Sequence, residues 1–446
     1  MPSFVDQRNR IESVPARAAA EEVFAPELVP RNCRLDAYKK VRVPAVKVSG
    51  QIIAYASPDS TFAVTKRLFD AARKSILIGI YDFTAEHVKQ LVLHAMRRNV
   101  KVQLMLDLDG KAEAALLREL ERFGADCTQA PSCSSKRAQY FRSSHEKVIV
   151  IDDEWTLVQS GNYSDNSIPL NVVDSGREES FVTGNRDMGL AVQSKPLAAF
   201  FRRILEADIS LELAGVEAAA AFAAVEDAFV VERAPARRPK TLYPSKTVTL
   251  PGLLAIRPIL SPDNYMTEVP PLLRAAKRSI LIEQQYIRAS QSHIEMLLTE
   301  IAAARKANPR LDVRIVLGKV FNAKDLPKEH ANLDVLKQKF GLALGKHIRF
   351  VDTTRFVHCH NKMILIDGKG VLISSQNWSN AAVSENREAG LWLEHRGIRD
   401  YFARIFEDDW STAAKTPGGD GPEVISAETL REGGFVRVMA GDYAEV

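Results

Sequence analysis

The chain has 446 residues, 46% hydrophobic and 26% charged, with 60 basic against 56 acidic side chains and a net charge of +4. That length exceeds a usual single core and predicts two domains or lobes. The composition excludes wholesale disorder, and the charge balance excludes a dedicated nucleic-acid binder while allowing a local basic site. Cys33, Cys127, Cys133 and Cys359 form no disulfide framework and match no zinc spacing. Unpaired thiols are expected, with Cys127 and Cys133 the pair to check. Met1 to Phe24 lacks a signal-peptide core, and no uncharged apolar stretch reaches the ~20 residues needed to span a bilayer. A soluble protein, cytoplasmic by default, is therefore expected, with export lacking a cleavable signal peptide as the alternative.

Residues 1–50 read as an N-terminal extension whose basic cluster, Lys39, Lys40, Arg42 and Lys47, is solvated surface. Residues 51–212 read as a first lobe. After the turn Ser57-Pro58-Asp59, Phe62 to Arg73 is a helix by its period, Ile76 to Ile80 a buried strand, Glu86 to Arg97 a helix and Val100 to Leu106 a strand. Residues 213–250 read as a connection: the Ala-rich Val216 to Val231 as a helix, then an extended linker from Glu232 to Lys240. A membrane-lying amphipathic helix is the sharper alternative for the Ala-rich part, but Ala is weakly apolar and Glu217 and Glu226 interrupt the face. Residues 251–412 read as a second lobe in the same order, with Ser261-Pro262-Asp263, Pro270 to Lys277, Ile280 to Glu283, His293 to Lys306 and Val313 to Leu317. Residues 413–446, with Gly418-Gly419-Asp420-Gly421-Pro422, read as a loosely attached tail. Apolar strands separated by helices predict an α/β fold, each lobe a mostly parallel sheet covered on both faces.

The two lobes are one pattern written twice. His145, Lys147, Asp152, Ser160 and Asn162 return as His360, Lys362, Asp367, Ser375 and Asn377, every pair 215 residues apart. At roughly 5% usage per residue type, five fixed positions should arise by chance on the order of once in a few million starts. The Ser-Pro-Asp turn and Ser75-Ile76-Leu77-Ile78 return after only 204 residues. The second half thus carries 11 more residues between these landmarks, placed between Asn308 and Phe350. Repeats this long indicate duplication rather than a solenoid.

His145 and Lys147 are two apart, as are Ser160 and Asn162, so on strands each pair shares a face. A hairpin pairing Lys147 with Ser160 and His145 with Asn162 leaves Asp153-Glu154 as a two-residue loop, and the second copy leaves Gly368-Lys369. Asp152 and Asp367 then fall at the hairpin end, where fixing the turn outweighs contact with substrate. A histidine can attack or protonate, a lysine can hold an anion, and Ser with Asn can donate neutral hydrogen bonds; together they suit a tetrahedral phosphate. His87, His94, His293, His330, His347 and His395 lack such company and read as structural. His358 forms His-x-His with His360, a spacing also seen at metal sites, but no carboxylate or cysteine cluster accompanies it in both halves. No metal is expected.

The repeated His-x-Lys-x4-Asp followed by Ser-x-Asn resembles the phospholipase D superfamily, and the resemblance covers both halves. It implies one active site at the interface of two lobes and no cofactor. One of His145 and His360 attacks phosphorus and the other protonates the leaving alcohol, with His145 favoured as nucleophile. Lys147, Lys362, Ser160, Asn162, Ser375 and Asn377 would bind phosphate. A nucleophilic histidine needs an acceptor on its far nitrogen. Arg177-Glu178 and Arg387-Glu388, each before an apolar strand, supply the candidates. By resemblance Glu388 is expected near His145 and Glu178 near His360, each across the lobe boundary. Gln159 stands where the family commonly has glycine, and Ser374 stands there in the second copy, which narrows the space beside the phosphate.

The implied function is a phospholipase D-type phosphodiesterase that hydrolyses phospholipid head groups, or transfers them to alcohols, at a membrane or micelle surface. No obligate protein partner is implied and a monomer suffices. Ile282-Glu283-Gln284-Gln285-Tyr286 looks like phospholipases and Ile80-Tyr81-Asp82-Phe83-Thr84 like nuclease members, so nucleic acid is the alternative substrate. Tyr140-Phe141 and Phe356-Val357 would make an apolar cleft entrance; Tyr163 and Trp378 could line it, stack on bases or pack in the core. The lack of a membrane-spanning N-terminus argues against a cardiolipin-synthase-like transferase. The alternative of another class is a non-catalytic lipid or nucleic-acid binding module, against which both His and both Lys residues stand.

Overall fold

Ser-Ile-Leu-Ile-Gly-Ile at 75–80 and Ser-Ile-Leu-Ile-Glu-Gln at 279–284 are apolar on both strand faces or nearly so, which suits strands covered on both sides. A computed structural model places each inside its own eight-stranded sheet. It describes residues 33–108, 111–170, 184–215, 229–233, 243–320, 325–418 and 435–439.

The first half contributes β1 (Val46–Val48), β2 (Gln51–Ser57), α1 (Thr61–Ala71), β3 (Ser75–Ile80), α2 (Glu86–Arg97), β4 (Lys101–Leu106), α3 (Lys111–Arg122), β5 (Asp126–Gln129), β6 (Lys147–Ile151), β7 (Trp155–Gln159), β8 (Asp187–Gln193) and α4 (Lys195–Ala214). The connection holds β9 (Phe229–Arg233) and β10 (Lys246–Thr249). The second half contributes β11 (Leu254–Ser261), α5 (Tyr265–Arg274), β12 (Ser279–Gln284), α6 (Ser292–Ala307), β13 (Asp312–Leu317), α7 (Leu326–Phe340), β14 (Ile348–Phe350), β15 (Met363–Ile366), β16 (Gly370–Ser374), α8 (Asn380–Ser384), β17 (Glu388–Leu393) and α9 (Arg396–Thr412), followed by β18 (Phe435–Met439).

The sheet orders are β10-β2-β8-β7-β6-β3-β4-β5 and β1-β11-β17-β16-β15-β12-β13-β14. The duplicated α/β architecture is as expected, but the sheets are not mostly parallel. Only β3-β4-β5 and β12-β13-β14 run parallel, where helices make the crossovers. The motif strands are joined by hairpins and pair antiparallel. The edge strands are exchanged: β1 pairs with β11 of the second lobe, and β10 pairs with β2 of the first. Two segments that read as extension and linker therefore close the opposite lobe's sheet.

Apolar side chains form three cores. One lies outside each sheet, against the helices of its own half. The third is shared, combining Val148, Val150 and Leu190 and the α4 residues Phe201 and Leu205 with Met363, Leu365 and Leu391 and the α9 residues Phe402 and Phe406. Both central helices are capped alike, the Ser194 side chain accepting from Leu197 N and the His395 side chain from Ile398 N.

The hairpin register differs by one residue from the expectation. Val148 pairs with Val158 and Met363 with Ile373, so Gln159 and Ser374 stand opposite Lys147 and Lys362. The turns have three residues because their first two positions are left-handed, with φ of 54° and 57° at Asp152 and Asp153 and 57° at both Asp367 and Gly368. Aspartate tolerates that conformation better than most residues. Its side chain also anchors the turn, since the Asp152 carboxylate accepts from the backbone N–H groups of Arg73, Lys74 and Ser75, and Asp367 from those of Lys277, Arg278 and Ser279.

The extra residues are also distributed differently. Registers put Ile280 and Val313 in the places of Ile76 and Val102, so the offset has already grown from 204 to 211 before residue 313, partly in the longer α6. Ile348 stands in the place of Cys127, an offset of 221, and the chain between β14 and β15 returns it to 215. Residues 216–228 of the Ala-rich segment lie outside the described residues, while its last three residues, 229–231, belong to β9, a strand paired with β18, rather than to a helix. Among the described residues no helix is long and apolar enough to cross a membrane.

Cys33 is disulfide-bonded to Cys133, with Cα atoms 5.6 Å apart, and Cys127 and Cys359 are unpaired. Spacing could not reveal this pairing, since 100 residues separate the partners. Cys133→Ser is expected to lower the free energy of unfolding by roughly 2–4 kcal/mol through the freed loop entropy of the unfolded chain. Urea denaturation of both proteins under oxidising conditions measures it, and equal midpoints would refute a stabilising role.

Candidate active site

Each motif histidine sits just before its strand, on a segment that pairs with the other lobe. His145 N donates to Arg387 O at 2.8 Å and Arg387 N to Ser143 O at 2.9 Å. In the other direction, Arg186 N donates to His358 O at 2.7 Å and His360 N to Arg186 O at 3.0 Å. The residue after each of these arginines is an acid aimed at a histidine. Glu388 meets His145 Nδ1 with both oxygens, at 2.9 and 3.0 Å, and Asp187 Oδ1 meets His360 Nδ1 at 3.0 Å. Committing Nδ1 to a carboxylate selects the tautomer and leaves Nε2 as the nitrogen for chemistry.

Ser160 of the first motif donates to Asp187 Oδ1 at 2.8 Å, the same oxygen that His360 of the second motif uses. One carboxylate thus joins the two motifs. Ser375 Oγ accepts from Ala389 N at 3.0 Å, beside Glu388. Both serines also hold the acid-bearing strands in place. Lys147 and Lys362 are fully buried, and each ammonium donates to the carbonyl of its own histidine at 2.6 Å. The Tyr81 ring lies 4.8 Å from the His145 ring and 5.4 Å from the Lys147 ammonium. Asn162 and Asn377 are buried beside the serines.

Glu178 lies outside the described residues. The place expected for it is taken by Asp187, because the repeat partner of Arg387-Glu388 is Arg186-Asp187, not Arg177-Glu178. The signal was present in Asn185-Arg186-Asp187-x-Gly189-Leu190 against Asn386-Arg387-Glu388-x-Gly390-Leu391. The exchange of Asp for Glu hides it from a search for identical residues. The glycine in this pattern is required by space, since a Cβ on Gly189 would stand 2.3 Å from the Tyr55 ring and one on Gly390 2.5 Å from Ser374 Cβ.

The two arginines are buried clamps. Arg186 binds Asp409 on α9 of the other lobe at 2.7 and 3.1 Å, and Asp59 of its own lobe at 2.7 Å. Arg387 binds Asp208 on α4 of the other lobe at 2.7 and 2.8 Å, and Asp263 of its own lobe at 2.5 Å. This is what the repeated Ser-Pro-Asp turns are for. Each clamp is covered by an aromatic ring from the lead-in to a motif, Phe356 at 4.2 Å from Arg186 and Phe141 at 4.3 Å from Arg387. These rings are buried clamp packing rather than an apolar cleft entrance. Tyr163 and Trp378 are core residues as well, the Trp378 indole donating to Tyr265 Oη at 3.0 Å.

Two further carboxyls lie beside the clamps. Burial, with Asp208 nearby, pushes Glu146 up to about 7, and burial, with Asp409 nearby, pushes Glu283 up to about 8. They are supplied from different strands in the two lobes. Glu146 precedes β6 and faces Gly79, while Glu283 on β12 accepts from Asn361, the counterpart of Glu146, at 2.9 Å. Above pH ~4.5 the unfolded chain releases these protons while the folded protein retains them. The unfolded state then binds fewer protons, so the two groups make stability fall as pH rises from about 4.5 to 7 for Glu146 and to 8 for Glu283. Glu146→Gln is expected to flatten the lower part of that decline in chemical denaturation at a series of pH values. An unchanged slope would mean that Glu146 ionises in the folded protein as readily as in the unfolded one.

A family model described as "Cardiolipin synthase, PLD-like domain" matches residues 65–209 and 270–410. Among solved structures, the phosphatidylserine synthase of Haemophilus influenzae Rd KW20 is similar over 84% of this chain and 90% of its own, at 14% identity and a TM-score of 0.56. Nuc of Salmonella typhimurium, a phospholipase D family member, matches 38% of this chain and 98% of its own at 20% identity and a TM-score of 0.30. The polyphosphate kinase of Porphyromonas gingivalis matches 85% of this chain and 52% of its own, at 13% identity and a TM-score of 0.47. No curated protein sequence matches the chain.

Proposed function

The chain belongs to the phospholipase D-like family, and on that premise we propose that it cleaves or exchanges a phospholipid phosphodiester through a covalent phosphohistidine. The observation that carries this is the reciprocal crossing of the site: each lobe's histidine is oriented by the other lobe's carboxylate, and Asp187 is shared between Ser160 of one motif and His360 of the other.

Both histidines have Nδ1 held by a carboxylate from the other lobe, and His145 is assigned as nucleophile by the family resemblance, in which the first motif supplies it. Its Nε2 attacks phosphorus, the P–O bond to the leaving alcohol breaks, and His360 gives that oxygen a proton. In the second step water or an alcohol attacks phosphorus, the P–N bond breaks, and His360 takes back a proton. Lys147 and Lys362, with Asn162 and Asn377, offset the charge gathering on the phosphoryl oxygens. No step draws on a cofactor. Asp152 and Asp367 act only through the hairpins.

Phospholipid is favoured over nucleic acid by the matching family's description as a cardiolipin synthase domain. That description also puts transfer to an alcohol on an equal footing with hydrolysis. The Cys33–Cys133 disulfide favours an oxidising compartment over the cytoplasm. Purified protein given phosphatidylcholine vesicles and ethanol is expected to form phosphatidylethanol in the presence of a chelator. His145→Ala should reduce it by about 10⁴-fold or more, and His360→Ala by roughly 10²–10⁴-fold. Cleavage of single-stranded DNA without lipid turnover would overturn the substrate, and activity lost to the chelator would overturn the metal-free scheme.

A further inference from the structure

The two half-sites are not the same, and the difference falls beside His360. Arg186 N donates to His358 O and His360 N to Arg186 O, so Cys359 pairs in parallel with Arg186 and residues 358–360 lie along that strand. The segment is therefore extended, and His358 and His360 project to one side while Cys359 enters the shared core on the other. The row in this lobe is His358, His360, Lys362; in the first lobe it is Ser143, His145, Lys147. His358 is 2% exposed, and its ring occupies space that the chain has cleared for it. A Cβ on Gly318, at the end of β13, would stand 2.1 Å from His358 Cε1 and 2.8 Å from Nδ1. The first lobe has Asp107 at the position of Gly318, with its carboxylate accepting from Ser144 N at 2.8 Å and Ser134 Oγ at 2.6 Å. Thus Asp107 with Ser143 in one lobe is exchanged for Gly318 with His358 in the other.

Resting on the phosphohistidine reading above, we propose that His358 recognises the alcohol on the His360 side of phosphorus by hydrogen bonding to a second hydroxyl, making polyhydroxylic alcohols the preferred acceptors. His360 protonates the leaving alcohol and deprotonates the incoming one, so either alcohol lies against the row that His358 extends. Burial, then the neighbouring His360, Lys362 and Lys319, hold the His358 imidazole well below the usual histidine range. It is neutral there, and a neutral imidazole both donates and accepts. The surrounding cations repel an ammonium group, which sets a hydroxylated alcohol above an amino alcohol. No bond is made or broken at His358; it is a specificity residue for the acceptor.

The test is the partition of one intermediate. Phosphatidylcholine vesicles are supplied with water and either glycerol, 1-propanol or ethanolamine, and each phosphatidyl-alcohol is measured against phosphatidic acid. Wild-type protein is expected to favour glycerol over both others, and equal or lower partition to glycerol overturns the proposal without any variant. His358→Ser, which copies the first lobe, should lower the glycerol-to-water ratio about tenfold and leave the propanol-to-water ratio within about twofold. Gly318→Ala, which pushes the ring aside, should act in the same direction. A purely structural role slows every product alike and leaves the ratios unchanged, which also overturns it. Should wild-type protein turn over no phospholipid, the lipid reading fails by itself. The same ratios are then measured with bis(4-nitrophenyl) phosphate as phosphoryl donor, where the identical pattern supports His358 and unchanged ratios refute its role.

Discussion

Arg186 and Arg387 are fully buried, and each bridges a carboxylate of its own lobe and one on the central helix of the other. Removing one partner from such a group strands the remaining charges in a medium that cannot solvate them, a loss on the order of 3–5 kcal/mol. The lobes are thus held at one separation and one angle, within the tolerance of a hydrogen bond. Because Asp187 and Glu388 directly follow the clamped arginines, that same tolerance is passed to the histidines. The exchanged edge strands serve the same end. Tyr38, just ahead of β1, donates to Asp263 and accepts from Arg387 at 2.7 Å; Tyr243, just ahead of β10, donates its backbone N–H to Asp59.

The pseudo-twofold relation is strict where geometry must be shared and loose where it need not be. Asp152 and Asp367 accept from equivalent sets of three backbone N–H groups, and both lysines meet the carbonyls of their own histidines at 2.6 Å. The buried carboxyl beside each clamp is kept in both lobes but changes its strand of origin, and Gly79 is small because Glu146 and Leu205 use the space. At Asp107 and Gly318 even the chemistry differs. A substrate with unlike groups on the two sides of phosphorus gives such a difference something to recognise.

Much of the fold was legible in order and in kind. The helices and central strands lie close to the positions that apolar periodicity predicts, since a strand with no polar face and a helix with one apolar stripe leave few alternatives. Register was not legible. Two-residue and three-residue hairpin turns differ by one residue, and the left-handed backbone at Asp152 and Asp153 that decides between them leaves little trace in composition. Asp187 was missed for another reason: a match of identical residues cannot find a site whose requirement is only a carboxylate, with aspartate in one copy and glutamate in the other.

Sequence alone determined the chemistry at hand and its duplication, because His, Lys, Ser, Asn and Asp recur at spacings that strand geometry converts into shared faces. It could not say what each of those groups touches. Only the tertiary structure decided that Ser160 and Ser375 support the acid strands, that the Ser-Pro-Asp turns end in clamp carboxylates, that Cys33 reaches Cys133, and that each histidine is oriented from across the lobe boundary. The physical reason is the same in each case. Hydrogen bonds and ion pairs a few ångströms long join residues as remote in sequence as His145 and Glu388, 243 positions apart, and their approach is set by how two sheets pack, not by any pattern along the chain.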